Sequence, residues 1–254
     1  MKKPIVVIGI GEIGSVFARG CLRLGHPVYP VTREMSAAVV AKEIPYPEAV
    51  ILAVTEGELH EQLAQLPNAW KNQLVLIQNE LLPKDWEQYD LNPTVISVWF
   101  EKKKGQDVKV VVPSPVHGNK ATLVADALQA LEIPSEVIDD SERMLLELVR
   151  KNYYILASNI AGLKVGGTVS ELWKNHQPLA ENILTDIHTI QEALAGKTLD
   201  KDAITQAMLV AFEGDPDHGC MGRSAPARLT RALNIADEVG IEVSTLQQIS
   251  EELA

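Results

Sequence analysis

The chain has 254 residues, 46% hydrophobic and 22% charged, and a formal net charge of −11. That composition supports a real core, in one large domain or two modest ones. The acidic balance, with no long basic block, argues against nucleic acid or an anionic membrane as partner.

Ile5 to Ile8 reads as a strand buried on both faces. Gly9-Ile10-Gly11-Glu12-Ile13-Gly14 follows with the spacing G-x-G-x-x-G, then a helical pattern through Val16, Phe17, Cys21, Leu22 and Leu24, stopped by Gly25. Val28 to Val31 begins a second strand. Strand, turn, helix and strand in one unit of roughly 30 residues is the context in which this spacing binds a dinucleotide. Gly9 permits the bend, Gly11 lets the backbone approach a pyrophosphate, and Gly14 lets the helix pack on the strand. The helix N-terminus offers its N–H groups to phosphate. Where an acidic residue would end the second strand for NAD, this chain has Thr32-Arg33. A guanidinium pairs with a 2′-phosphate, so NADP is expected, with Glu34 turned away.

Met35 to Glu43 reads as a short helix or loop, and Ala49 to Val54 as a third strand whose end, Val54, joins the cofactor residues. Residues 56–66 have helical spacing, with Leu59, Leu63 and Leu66 on one face. Leu74 to Gln78, Thr94 to Phe100 and Val108 to Val112 read as further strands, the last ended by Pro113 and Pro115. Residues 101–107 read as an exposed lysine-rich loop, and 94–112 as an antiparallel excursion at one edge. Lys120 to Leu131 is helical and Ser135 to Ile138 a last strand. Alternating strands and helices over 1–140 predict a mainly parallel sheet covered on both faces.

From 141 to 254 no strand is legible. A long helix, Ser141 (as N-cap) to Leu163, is broken by Gly166-Gly167. Ser170–Lys174, Leu179–Ala195, Lys201–Glu213, Ala225–Val239 and Ser244–Leu253 read as helices, punctuated by Pro178, Gly196 and Gly240. The fold class is therefore an α/β Rossmann domain, 1–140, followed by an all-α domain, 141–254, with apolar faces enough for a homodimer. The cleft between two such domains is the default site.

Within the long helix Lys151 lies in a run otherwise short of charge, and Lys151, Ile155 and Asn159 are spaced i, i+4, i+8 on one face. Facing a bound nicotinamide, Lys151 could protonate a carbonyl oxygen as hydride arrives, and Asn159 could hold substrate. The spacing equally allows Arg150 and Lys151 to point to water. His218 reads as a loop-surface residue, and His117 ends a strand where cofactor loops gather. No His/Cys/Asp/Glu cluster has metal-ligand spacing, so no metal is expected.

These residues together resemble the ketopantoate reductase family over nearly the whole chain. The similarity runs through the glycine-rich opening, Gly25-His26-x-Val28 with Arg33, Leu76-Ile-Gln-Asn79, Lys151, Asn159 and Ala236-Asp-Glu-Val-Gly-Ile-Glu-Val-Ser. The resemblance implies NADPH reduction of a small 2-oxo acid, in that family ketopantoate to pantoate on the route to pantothenate and coenzyme A. It makes Lys151 the general acid, Asn79 its positioner near the nicotinamide, and Asn159 a substrate ligand. The chain departs from the pattern at Glu56, where a lysine is usual, and at Asn79-Glu80, where Asn-Gly is usual, so a different loop is expected. Ile155 stands in place of an asparagine. In Gly222-Arg-Ser-Ala-Pro-Ala-Arg228 the family's substrate-binding Glu is missing, with Ser224 the nearest polar remnant. Two other readings stay open: a non-catalytic NADP-binding protein, and a dehydrogenase acting on an imine, amino-acid or prephenate-type substrate. Met-Lys-Lys-Pro leads into a strand too short for a signal-peptide core. With no apolar run near the ~18 residues of a membrane span and only two distant cysteines, the chain is expected in the cytoplasm.

Overall fold

The computed structural model of the protein describes residues 2–253. The chain divides into two compact units, Met1–Glu147 and Leu148–Ala254. The first holds β1 (Ile5–Ile8), α1 (Glu12–Arg23), β2 (Val28–Val31), α2 (Ala37–Glu43) and β3 (Ala49–Leu52). It continues with α3 (Leu59–Ala64), entered through a short 3₁₀ turn at Glu56–Glu58, then β4 (Leu74–Leu76), α4 (Lys84–Glu87) and β5 (Thr94–Ile96). After these come β6 (Phe100–Glu101), β7 (Lys109–Val110), β8 (Ser114–His117), α5 (Ala121–Gln129) and β9 (Ser135–Val137).

Seven strands form one sheet in the order β2-β1-β3-β4-β5-β8-β9, parallel except where β8 runs antiparallel to β5. β1 and β3 are buried at every residue, as interior parallel strands must be. Ile5 and Val7 of β1 and Ala49 and Ile51 of β3, with Phe17 and Cys21 of α1 and Val124 and Leu128 of α5, make the core on one face. Cys21 is a packing residue there, and burial pushes its thiol up to about 12.

Gly14 sets the distance between α1 and the sheet. A Cβ at this position would run into the Gly9 carbonyl and the Ala53 side chain. Gly9 itself sits at φ +88°, which side-chain-bearing residues avoid. Gly14→Ala is therefore expected to overpack the turn and destabilise the protein by about 1–3 kcal/mol, read from urea unfolding. Wild-type stability would show that α1 can move outward freely.

The edge of the sheet differs from the sequence expectation. β6 and β7 pair antiparallel in a small sheet of their own, Phe100 opposite Val110, and the antiparallel member of the main sheet is β8. Pro115 does not end a strand but lies inside one. Its carbonyl accepts from the Ser97 N–H at 3.0 Å, while the Ser114 N–H and the Val116 carbonyl bond to the β9 side. A proline costs only the one return bond in that register. The loop between β6 and β7 is also not a plain solvated tip. Lys102, its side chain 15% exposed, pairs with Glu12 at 3.2 Å, and Lys103 pairs with Glu101.

The second unit is helical: α6 (Ser141–Val165, the chain division falling within it), α7 (Val169–Asn175), α8 (Gln177–Ala195), α9 (Lys201–Gly214), α10 (Ala225–Val239) and α11 (Ser244–Glu252). The cap of α6 is Asp140 rather than Ser141: its Oδ1 accepts from the Glu142 N–H at 2.9 Å and its carbonyl from Met144. α8 begins with Pro178 in its first turn and ends at Gly196 in the left-handed region. α10 repeats the device with Pro226 and Gly240. α8 packs against α7, α10 and α11. Buried polar pairs fix its register: Asn152 donates to Gln191 at 2.8 Å, Tyr153 Oη meets His188 Nδ1 at 2.6 Å, and Asp186 Oδ2 accepts from the Leu246 N–H at the head of α11. Among the described residues no helix is long and apolar enough to cross a membrane.

Candidate active site

In the first unit the strand ends at β1, β2 and β3 open into a cavity of about 1200 Å³. This is the crevice beyond the carboxyl ends of parallel strands where such folds take ligands. Gly9, Ile10, Gly11, Thr32, Arg33 and Val54 all line it. α1 begins here without a side-chain cap, and a Cβ on Gly11 would meet nothing within 4 Å. Uncapped helix N–H groups above open space fit a pyrophosphate, and the volume suits a dinucleotide. Glu12, Ile13 and Gly14 stand behind this lining. Glu12 is held by Lys102, Ile13 packs on the core, and Gly14 is closed over by Gly9 and Ala53.

Glu34 is not turned away; it lines the cavity, as do Glu58 and Glu61. Arg33, its side chain 87% exposed, has Glu58 Oε1 3.5 Å from Nη2. The other carboxylate oxygen of Glu58 accepts from the Thr55 hydroxyl at 2.7 Å and the Thr55 N–H at 3.2 Å. Those bonds, and then Arg33, hold the Glu58 carboxyl below its ordinary range, so it is charged at neutral pH. The sequence carried a signal for this: Thr55-x-x-Glu58 is a capping box at the start of the turn.

The end of β4 is tied to the end of β3 by Gln78, whose amide donates to the Leu52 carbonyl at 2.7 Å and to that of Val54 at 3.4 Å. Next to it Asn79 Nδ2 donates to Glu56 Oε1 at 3.0 Å. Glu80 sits at φ +62°, the left-handed region where glycine is at home. Having a Glu at this position does not take the turn out of the glycine conformation; the side chain is carried in it under strain. Glu80→Gly should relieve that strain and stabilise by about 0.5–1 kcal/mol, measured by thermal or urea unfolding. No gain would mean that the Glu80 side chain compensates for its backbone. His117 is structural, its Nδ1 2.7 Å from the Ile138 carbonyl.

In the second unit Lys151 is 9% exposed and does not point to water. Its Nζ lies 5.5 Å from the centre of the Tyr154 ring. Burial first, then the positive charges of Arg228 and Arg150, pull its ammonium down to about 7. Arg150 is likewise engaged, donating from Nε to the Ala207 carbonyl at 2.8 Å. Two turns along α6, Asn159 is 5% exposed and its Oδ1 accepts from Arg228 Nη1 at 2.8 Å. Arg228 is itself buried on α10. Ser224 is the N-cap residue of that helix but makes no capping bond with its side chain. Sequence reasoning passed over Arg228, although it closes the segment in which the usual Glu is missing. His218 is not a simple surface residue: its ring packs against Tyr154 at 5.7 Å and its Nδ1 lies 3.5 Å from Asp215.

No protein-family model matches the chain, and no curated protein matches its sequence. Solved structures do match. A ketopantoate reductase from Ralstonia eutropha is 13% identical with a TM-score of 0.66, covering 96% of this chain and 95% of that one. A ketopantoate reductase from Staphylococcus aureus, described as dimeric, is 16% identical with a TM-score of 0.62, covering 98% of each. A D-mandelate dehydrogenase solved with NADH and anilino(oxo)acetate is 14% identical with a TM-score of 0.67, covering 99% and 96%. At such identities the likeness is one of fold, and this chain, a mainly parallel sheet followed by an all-helical unit, has the fold of the ketopantoate reductases.

Proposed function

We propose that the chain is an NADPH-dependent reductase of a small 2-oxo acid. The observation that supports this most is the buried lysine, Lys151, with an ammonium held near neutrality and an amide and a guanidinium, Asn159 and Arg228, joined on the same unit. When bound, a nicotinamide would supply the hydride that the carbonyl carbon takes up. Lys151 gives its proton to the carbonyl oxygen, so C=O becomes CH–OH and the lysine is left neutral until solvent reprotonates it. Arg228 pairs with the substrate carboxylate and Asn159 orients it, with Ser224 a further polar contact. Asn79 is given to the nicotinamide end of the cofactor, its amide nitrogen being committed to Glu56.

The cavity residues take the cofactor: Gly9, Ile10 and Gly11 with the N-terminus of α1 for the pyrophosphate, Thr32 and Val54 beside it, and Arg33 for the 2′-phosphate. Ile155, on the face shared by Lys151 and Asn159, cannot bond a hydroxyl. That favours an oxo acid with an apolar side chain over ketopantoate, which carries one.

The test is NADPH oxidation, followed by absorbance, across a panel of apolar and hydroxylated 2-oxo acids. The reading expects turnover, fastest with the apolar members. Tight NADPH binding without oxidation of any would leave a non-catalytic dinucleotide-binding protein instead. The homodimer is proposed by likeness to the dimeric relative, and light scattering reads it directly.

A further inference from the structure

We infer that Glu58 sets the cofactor preference of this protein, by holding the guanidinium that a 2′-phosphate would need. This rests on the dinucleotide reading of the cavity. Three observations carry it. Glu58 lines the cavity together with Arg33. Its Oε1 faces Arg33 Nη2 at 3.5 Å. Its Oε2 is anchored by two bonds from Thr55, so the carboxylate is aimed rather than free to swing off.

The usual acidic discriminator stands at the end of the second strand, where it accepts from the ribose 2′-hydroxyl and repels a 2′-phosphate. Here that place is taken by Thr32-Arg33, and an equivalent carboxylate arrives from the turn after β3. Glu34 and Glu61 add negative charge to the same lining. A 2′-phosphate must therefore displace Glu58 from Arg33 and remain beside it. A 2′-hydroxyl meets a carboxylate that can accept its proton in a hydrogen bond. NADPH and NADH are expected to bind within about tenfold of one another, although the strand end carries an arginine.

Glu58→Gln separates charge from architecture. Gln keeps an oxygen to accept from Thr55, as capping boxes allow, so the turn folds as before. Calorimetric titration of the full chain with NADPH and with NADH reads the result without any substrate. Removing the charge should tighten NADPH about tenfold, a change of about 1.4 kcal/mol, while NADH stays the same or weakens. Arg33→Ala in parallel should remove the gain. An NADPH-to-NADH affinity ratio unchanged within twofold in Glu58→Gln would overturn the assignment and leave Glu58 as a cap alone. If wild type and variant bind neither nucleotide, the dinucleotide reading fails and the role of Glu58 fails with it. The two failures are told apart by whether the wild-type titration gives heat.

Discussion

Lys151→Ala should lower turnover of the preferred 2-oxo acid by about 10²–10⁴-fold, the range for loss of a positioned general acid, while NADPH binding stays at the wild-type level. The wild-type pH profile should carry the same signature. Because burial and two arginines bring the ammonium to about 7, the proton needed for reduction is present below that value and lost above it. The logarithm of kcat/KM for reduction should fall with unit slope as pH rises past about 7. In the complex a bound carboxylate raises the lysine's affinity for its proton, so the fall in kcat should come at higher pH than the fall in kcat/KM. A flat profile from pH 6 to 9, or near-wild-type activity in Lys151→Ala, would remove Lys151 from the role.

The same shift has a consequence for stability. An unfolded lysine titrates near 10.4. Between about 7 and 10 the unfolded chain holds a proton that the folded chain has released, so stability rises with pH across that window. Lys151→Met should flatten that rise, which urea midpoints at pH 7 and pH 9 would show.

Arg228→Met should raise KM for the 2-oxo acid by about 30-fold or more, since losing one partner of a buried charge-assisted pair costs about 2–5 kcal/mol, with a smaller effect on kcat. Arg228→Lys should recover only part of this, because an ammonium cannot offer the two parallel donors of a guanidinium to a carboxylate. A purely structural arginine would make a different prediction: Arg228→Met would lower stability through the Asn159 contact and leave KM alone. Lys151 supplies a second readout. Arg228 is the largest of the charges that depress it, so in Arg228→Met the fall in kcat/KM should move to higher pH. Unchanged KM together with an unmoved pH profile would exclude Arg228 from the substrate site.

Order along the chain was readable wherever local chemistry decides structure. The apolar run Ile5–Ile8 with Gly9, Gly11 and Gly14 specifies strand, turn and helix, because each glycine answers a backbone constraint a few residues away. Pro178, Gly196, Pro226 and Gly240 likewise mark helix ends in the second unit, since capping is a matter of one turn. So the fold class, a mainly parallel sheet followed by helices, was legible from local chemistry alone.

What stayed hidden depends on partners far away in the chain. Pro115 looks like a strand terminator until its register between β5 and β9 shows that one missing N–H is affordable. Lys102 looks like a solvated tip until it is seen on Glu12, 90 positions earlier. Glu34 and Glu58 reach the cavity because three separate strand ends converge there. Arg228 meets Asn159 across 69 positions. Periodicity and spacing encode which way a backbone turns; charges meet, and pKa values move, only when packing brings distant segments within hydrogen-bond reach. The lysine was visible in the sequence, but its burial, its lowered affinity for a proton and the arginine beside Asn159 belong to the tertiary structure.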